Sequence, residues 1–237
     1  MLEKQPHFRK INSFVRREGR LTQAQVQALS ESTHLLDLNT LGNKPIDWTG
    51  LFGWESNKHV LEMGFGDGAS LLEMAQVAPE TQFIGIEVYR SGVGNLLNKI
   101  NKTGLNNLKV IMADAEEVIE PYIAVNSLDV IQVFFPDPWH KKRHHKRRLL
   151  DREFVEVLVQ KLKIGGILHA ATDWADYATQ MLAVFSAHPA LKNVATPPNQ
   201  LIDRPIYRPI TKYEKRGLRL GHAIADIQFC KLKHMML

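Results

Sequence analysis

The chain has 237 residues, 44% hydrophobic and 23% charged, with a net charge of +5 and one cysteine, an ordinary balance for a soluble α/β domain with an extension. A lone Cys230 excludes an internal disulfide framework and fits a reducing cytoplasm. No apolar run approaches the roughly 18 residues of a membrane helix, and residues 1–20 lack the apolar centre of a signal peptide.

In chain order, residues 1–45 are polar and weakly patterned, with basic character from Arg9, Lys10, Arg16, Arg17 and Arg20. They read as a basic, partly flexible extension, either a tail or an RNA-contacting arm. Within it Thr22 can cap a short helix over 23–32 with Val26 and Leu29 on one face. From residue 46 the chain reads as one domain of alternating strands and helices. Strands are predicted at 59–63, 83–87, 108–112, 128–135 and 167–172, with a last one at 223–232. Helices are predicted at 69–78, 93–103, 151–162 and 174–187, and a short one after Asp114 ends before Pro121. The turn Lys163-Ile-Gly-Gly166 should end the helix before the fifth strand. Such alternation implies a doubly wound, mostly parallel sheet.

One stretch combines three chemical features. Asp137 is clamped between Pro136 and Pro138 directly after the fourth strand, Trp139 follows, and residues 140–148 are all basic or histidine. Lys141, Lys142, Arg143, Lys146, Arg147 and Arg148 supply six positive charges against a whole-chain total of +5, so the rest of the chain sits near −1. Positive charge concentrated in one place suits a locally held polyanion, though a solvated loop or sorting signal reads equally from charge alone. Asp137 is either a held acid or the shaper of a proline turn. Trp139 suits base stacking and a core position equally.

Four acids, Glu62, Glu87, Asp114 and Asp137, fall at consecutive strand ends, where ligands bind in such sheets. Gly64, Gly66 and Gly68 let the backbone pass close to a ligand. The same residues, with Ala69, also satisfy a dinucleotide fingerprint, with Glu87 placed for a ribose. Glu62 and Asp67, however, put negative charge where a pyrophosphate would sit, and suit a ligand bearing an ammonium and a sulfonium. The histidines offer no zinc set, because the one cysteine is remote and His144-His145 lie among cations.

The segments Glu62-Met-Gly-Phe-Gly-Asp-Gly68, Ile84-Gly-Ile-Glu87-Val and Leu162-Lys-Ile-Gly-Gly166 resemble the glycine loop, ribose acid and later turn of class I S-adenosylmethionine-dependent methyltransferases. Phe135-Pro-Asp-Pro-Trp-His-Lys141, Arg143-His-His-Lys-Arg-Arg148, Thr172-Asp-Trp174 and Thr211-Lys-Tyr-Glu214 with Arg216-Gly217 are similar, together, to the bacterial tRNA (guanine-N7)-methyltransferases. The resemblance implies a Rossmann-like, mostly parallel sheet of seven strands after the N-terminal extension. It implies methyl transfer from S-adenosylmethionine, leaving S-adenosylhomocysteine, to N7 of a guanine in the tRNA variable loop. By the same resemblance Glu62, Gly64, Gly66, Glu87, Asp114 and Asp137 hold the cofactor and Asp137 is also catalytic. Lys141, Asp173, Thr211, Lys212, Tyr213 and Glu214 meet the substrate, and Arg143, His144, His145, Lys146, Arg147 and Arg148 meet RNA. A cytoplasmic monomer with tRNA as its partner, no metal and no obligate protein partner is expected. A nicotinamide-dependent oxidoreductase and a non-catalytic RNA-binding protein on the same scaffold are the competing readings.

Overall fold

The computed structural model describes residues 12–14, 19–42 and 44–233. The elements are α1 (Gln23–Glu31), β1 (Leu35–Leu36), α2 (Trp48–Phe52), β2 (His59–Met63), α3 (Ala69–Val77), β3 (Gln82–Ile86), α4 (Arg90–Thr103), β4 (Leu108–Ile111), α5 (Ala115–Tyr122), β5 (Leu128–Phe134), α6 (Arg152–Lys161), β6 (Leu162–Thr172), α7 (Ala175–Ser186), β7 (Leu191–Asn193), α8 (Lys212–Arg219) and β8 (Ala225–Lys231), with short 3-10 turns at Leu38–Leu41 and Lys142–Arg147.

All strands join one sheet in the order β1-β4-β3-β2-β5-β6-β8-β7. The first six are parallel, and β8 runs antiparallel to both β6 and β7. The order reverses between β2 and β5, which opens the crevice at their carboxyl ends. The doubly wound, mostly parallel sheet is as expected, but among the described residues it has eight strands rather than seven. The additional strand is β1, two residues from the N-terminal segment that pair Leu35 with Val110 at the sheet edge.

Alternation along the strands sends side chains to two faces. Leu61, Met63, Ile131, Val133, Leu168, Ala170, Ile227 and Phe229 share one face and pack with Val118, Ile119, Leu158, Val159, Met181 and Phe185 of α5, α6 and α7. On the other face Val60, Phe83 and Phe134 meet Leu71, Met74, Leu96, Leu97 and Ile100 of α3 and α4. Fully burying one such aliphatic side chain stabilises the fold by about 1.5–3 kcal/mol, so both helical layers are firmly seated.

Three local expectations are corrected. Helix α1 forms, capped by Thr22 with Gln25 in a capping box, yet Val26 is 51% exposed and Ala28 is the buried residue. Leu29 does pack part-buried against the core, but Val26 faces outward because α1 meets α4 through Gln25 on a bare Gly94, where any Cβ would lie 3.0 Å from Gln25. Residues 163–166 bulge within β6 rather than forming a separate turn, with the register jumping between Leu128 and Val130 and Gly165 at φ 81°. Pro121 lies inside the last turn of α5 rather than after it.

Candidate active site

The β2–α3 connection is a tight loop in which Gly64, Gly66 and Gly68 all have positive φ, a conformation that side chains disfavour. The first turn of α4 packs on this loop so closely that a Cβ on Gly92 would stand 2.0 Å from the Gly66 carbonyl oxygen. Asn95 holds the loop from the same helix by donating to the Asp67 carbonyl at 2.9 Å. At the end of β3, Glu87 accepts from the amides of Gly66 (2.8 Å), Val88 (2.7 Å) and Tyr89 (3.0 Å). Burial still pushes its carboxyl up, against those three donors.

Gly64, Gly66, Glu87, Asp114 and Asp137 line one cavity, together with Ser13, Phe14 and Tyr213. Asp114 reaches it as the N-cap of α5, accepting from the Glu116 amide at 3.1 Å. Glu62 is not in this wall. It points to the other side of Gly64, towards Phe65, Ser70 and Thr211, and is 2% exposed. Its Oε2 has no hydrogen-bond partner among the described residues. Burial, reinforced by the charge of Glu87, pushes its carboxyl up to about 8. An orphaned buried carboxyl is costly unless a cation or donor joins it.

The loop bearing Asp137 is backbone-strained. Phe135 and Trp139 have φ of 54° and 46°, values uncommon outside glycine that cluster at functional sites. Asp137 is exposed and borders both the cavity and a wider cleft of about 780 Å³, whose walls include Gly66, Trp139, His140, Lys141, His144, Lys212, Tyr213 and Arg216. Cavity and cleft share Gly66, Tyr89, Asp137 and Tyr213, so an acidic pocket opens onto a cationic trough at Asp137.

The basic run divides in two. Lys141, Lys142, Arg143 and Lys146 are exposed, and His144 and His145 are half-buried. Arg147 and Arg148, expected at the RNA, turn inward. Arg147 lies 3.8 Å over the Trp139 ring and donates to the carbonyls of Asn12 (3.0 Å) and Phe14 (3.1 Å). Trp139 donates its indole N–H to the Ser13 carbonyl at 2.9 Å, so its ring is already engaged by the chain itself. Arg148 is 2% exposed. It ties the Pro138 carbonyl (2.9 Å) to Gln180 (2.6 Å) and Asp176 on α7, and so fixes the outgoing end of the Asp137 loop. A charge run shows where cations are; it does not show that two of them have internal acceptors.

The segment 211–214 divides likewise. Lys212 pairs with Asp67 at 3.0 Å, and Tyr213 covers Gly66, where a Cβ would meet its ring at 3.4 Å. Thr211 instead caps α8 through the Glu214 amide (3.1 Å), and Glu214 is buried against Arg208 at 2.6 Å. Asp173, just past β6, pairs with His222 at 3.2 Å and abuts Gly217, where a Cβ would fall 2.8 Å from its carboxylate. It does not line the cleft itself; its neighbour Trp174 packs on His140, a cleft-wall residue, with ring centres 4.1 Å apart. Arg208, fully buried at the hub of this region, was missed in the sequence because it lies in an aperiodic proline-bounded loop. Among the described residues no three metal-ligating side chains gather, and no helix is long and apolar enough to cross a membrane.

A family model described as "Putative methyltransferase" matches residues 56–227. Relatives named tRNA (guanine-N(7)-)-methyltransferase include one from Shewanella woodyi, 49% identical over 96% of this chain and 94% of its own, and one from Pseudomonas fluorescens SBW25, 51% identical over 94% and 92%. Among solved structures, an antibiotic-resistance methyltransferase, Kmr, aligns with TM-score 0.54 at 12% identity, covering 80% of this chain and 96% of its own. An rRNA methylase from Streptococcus thermophilus aligns with TM-score 0.51 at 14% identity, covering 76% and 89%. At those identities the structures speak for the fold alone. Full-length identity near one half says more: the chain belongs to the tRNA (guanine-N(7)-)-methyltransferase family.

Proposed function

We propose that the chain methylates N7 of a guanine in the variable loop of tRNA, using S-adenosylmethionine, as a monomer in the cytoplasm. The observation that carries this reading is the junction at Asp137, where a carboxylate-walled pocket meets a cationic cleft. The residues present suit the cofactor. Acids with little positive charge among them favour a cationic ligand over a dinucleotide. Across Gly64 from that cavity, the orphaned Glu62 Oε2 lacks a partner, one that an ammonium reaching past Gly64 would supply. Glu87, pre-set by three amides, keeps one lone pair, on Oε2, for a ribose hydroxyl, and Asp114 stands where an adenine edge can reach it. When bound, the cofactor supplies a methyl group on a positively charged sulfur.

The rest of the work falls to the chain. Guanine N7 carries an in-plane lone pair, so no proton has to leave first. Holding N7 in line within a dry site contributes several kcal/mol. Asp137 accepts from the guanine N1–H and exocyclic amine, and its charge offsets the positive charge growing on the ring. The strained, doubly pinned loop holds that carboxylate still. Lys141, Lys142, Arg143 and Lys146 neutralise phosphates, while Lys212 and Tyr213 wall the base pocket. Asp173 braces the C-terminal end of α8 through Gly217 and His222.

The test is purified protein with S-adenosylmethionine and unmodified tRNA, read by nucleoside mass spectrometry. The reading expects 7-methylguanosine from the wild type and none from Asp137→Ala at equal folded concentration. Binding of NAD in place of S-adenosylhomocysteine, with no labelled tRNA, would reject it.

A further inference from the structure

Helix α8 is unusual in what holds it down. It carries Lys212, Tyr213 and Arg216 into the cleft, yet it buries no apolar side chain; its only buried residues are Glu214 and Gly217. Most helices in a fold are held by an apolar stripe. Here the anchor is ionic. Arg208, with no exposure at all, donates to Glu214 Oε2 at 2.6 Å through Nη1. Its other edge grips Asp226 of β8 with two bonds of 2.7 Å, from Nε and Nη2.

The post is itself braced. Asp226 Oδ1 lies 2.9 Å from His169 Nε2, the His169 Nδ1 lies 2.8 Å from the Tyr207 hydroxyl, and Gln228 donates to that hydroxyl at 2.6 Å. Burial lowers the His169 pKa, so a neutral ring donates to Asp226 and accepts from Tyr207. Arg204, 3.8 Å from Glu214, supplies the second positive charge that balances the two carboxylates. The Arg208 guanidinium also lies 5.6 Å from the ring centre of Phe134 and 5.8 Å from that of Phe135, the residues that lead into Asp137. One buried side chain thus bonds the helix that lines one side of the cleft and lies near the segment that leads into Asp137 on the other.

We propose that Arg208 is a positioning residue: it fixes α8, and with it Tyr213 and Lys212, relative to Asp137. This rests on the methyl-transfer reading for its kinetic consequence, but not for its structural one. A planar fork that bonds two carboxylates at once is a role for arginine that lysine cannot fill.

The experiment separates positioning from mere stability. Arg208→Met alone strands two buried carboxylates and is expected to lose stability. The triple variant Arg208→Met, Glu214→Gln, Asp226→Asn removes that penalty by neutralising both acids with the arginine, leaving only the part-exposed Arg204, and Arg208→Lys keeps the charge without the fork. Positioning predicts that the triple variant regains the wild-type melting temperature while kcat on tRNA stays down on the order of a hundredfold, the scale of an ångström misplacement. Arg208→Lys falls between the two. The α8 amides exchange hydrogen faster. The proposal is overturned if kcat returns along with the melting temperature, or if α8 protection matches the wild type in the triple variant. A wild type that makes no 7-methylguanosine would instead sink the functional reading, and hydrogen exchange would still decide the case for Arg208.

Discussion

Glu62→Gln is expected to stabilise the ligand-free protein, and to do so increasingly as pH rises. Glu62 is 2% exposed, and burial with the nearby Glu87 charge moves its carboxyl from 4.5 to about 8. Between those values the folded chain binds a proton that the unfolded chain has released. Folding stability from this group is therefore complete below the unfolded pKa and is lost as pH climbs towards the folded one. The slope is about 1.4 kcal/mol per pH unit. From pH 5 to pH 7 the wild type should lose on the order of 2.5 kcal/mol through this group, allowing for partial ionisation of the unfolded chain at pH 5. Glutamine does not titrate. Urea unfolding of both proteins at the two pH values therefore gives a stability gap that widens by that amount. A gap that stays constant would mean that Glu62 is already ionised in the free protein rather than an orphaned acid awaiting a cation.

The same acid makes cofactor binding proton-linked. Calorimetry of S-adenosylhomocysteine at pH 7 in buffers of different ionisation enthalpy should show proton release approaching one in the wild type and none in Glu62→Gln. Replacing Lys141, Lys142, Arg143 and Lys146 with alanine should reduce the slope of log K against log salt for tRNA by about 3 and leave the melting temperature alone. Arg148→Ala should do the reverse, lowering stability by about 2 kcal/mol in urea titration as its bonds to Pro138, Gln180 and Asp176 are lost. Gly92→Ala, whose methyl would collide with the Gly66 carbonyl, should weaken S-adenosylhomocysteine binding by at least about tenfold while the sheet remains folded by circular dichroism.

The alternation of β2 to β6 with α3 to α7 was legible because each strand is an apolar run and each helix carries a stripe at its own period. The pair Leu35-Leu36 was not, since two residues carry no period, and its strand exists only because β4 offers an unpaired edge. The placing of Asp137 and of the glycine loop could be read from neighbouring prolines and glycines, whose backbone limits are local. The inward turn of Arg147 and Arg148 could not, because their acceptors are carbonyls and side chains on distant segments. Thr211 and Glu214 fared the same way. A motif drew attention to all four residues from 211 to 214, but only the fold shows that two face the cleft and two build the helix that presents them. Arg208 carries no motif of its own, and its importance lies wholly in the two acids it joins.

If the acid at the pocket's mouth and the exposed cations beside it serve one modification of tRNA, losing the protein must remove that modification. Nucleoside analysis of total tRNA from cells deprived of this protein tests it most directly. 7-Methylguanosine should disappear, and return with the wild-type gene but not with Asp137→Ala. Normal 7-methylguanosine in the deprived cells, or full restoration by the Asp137 variant, would contradict it.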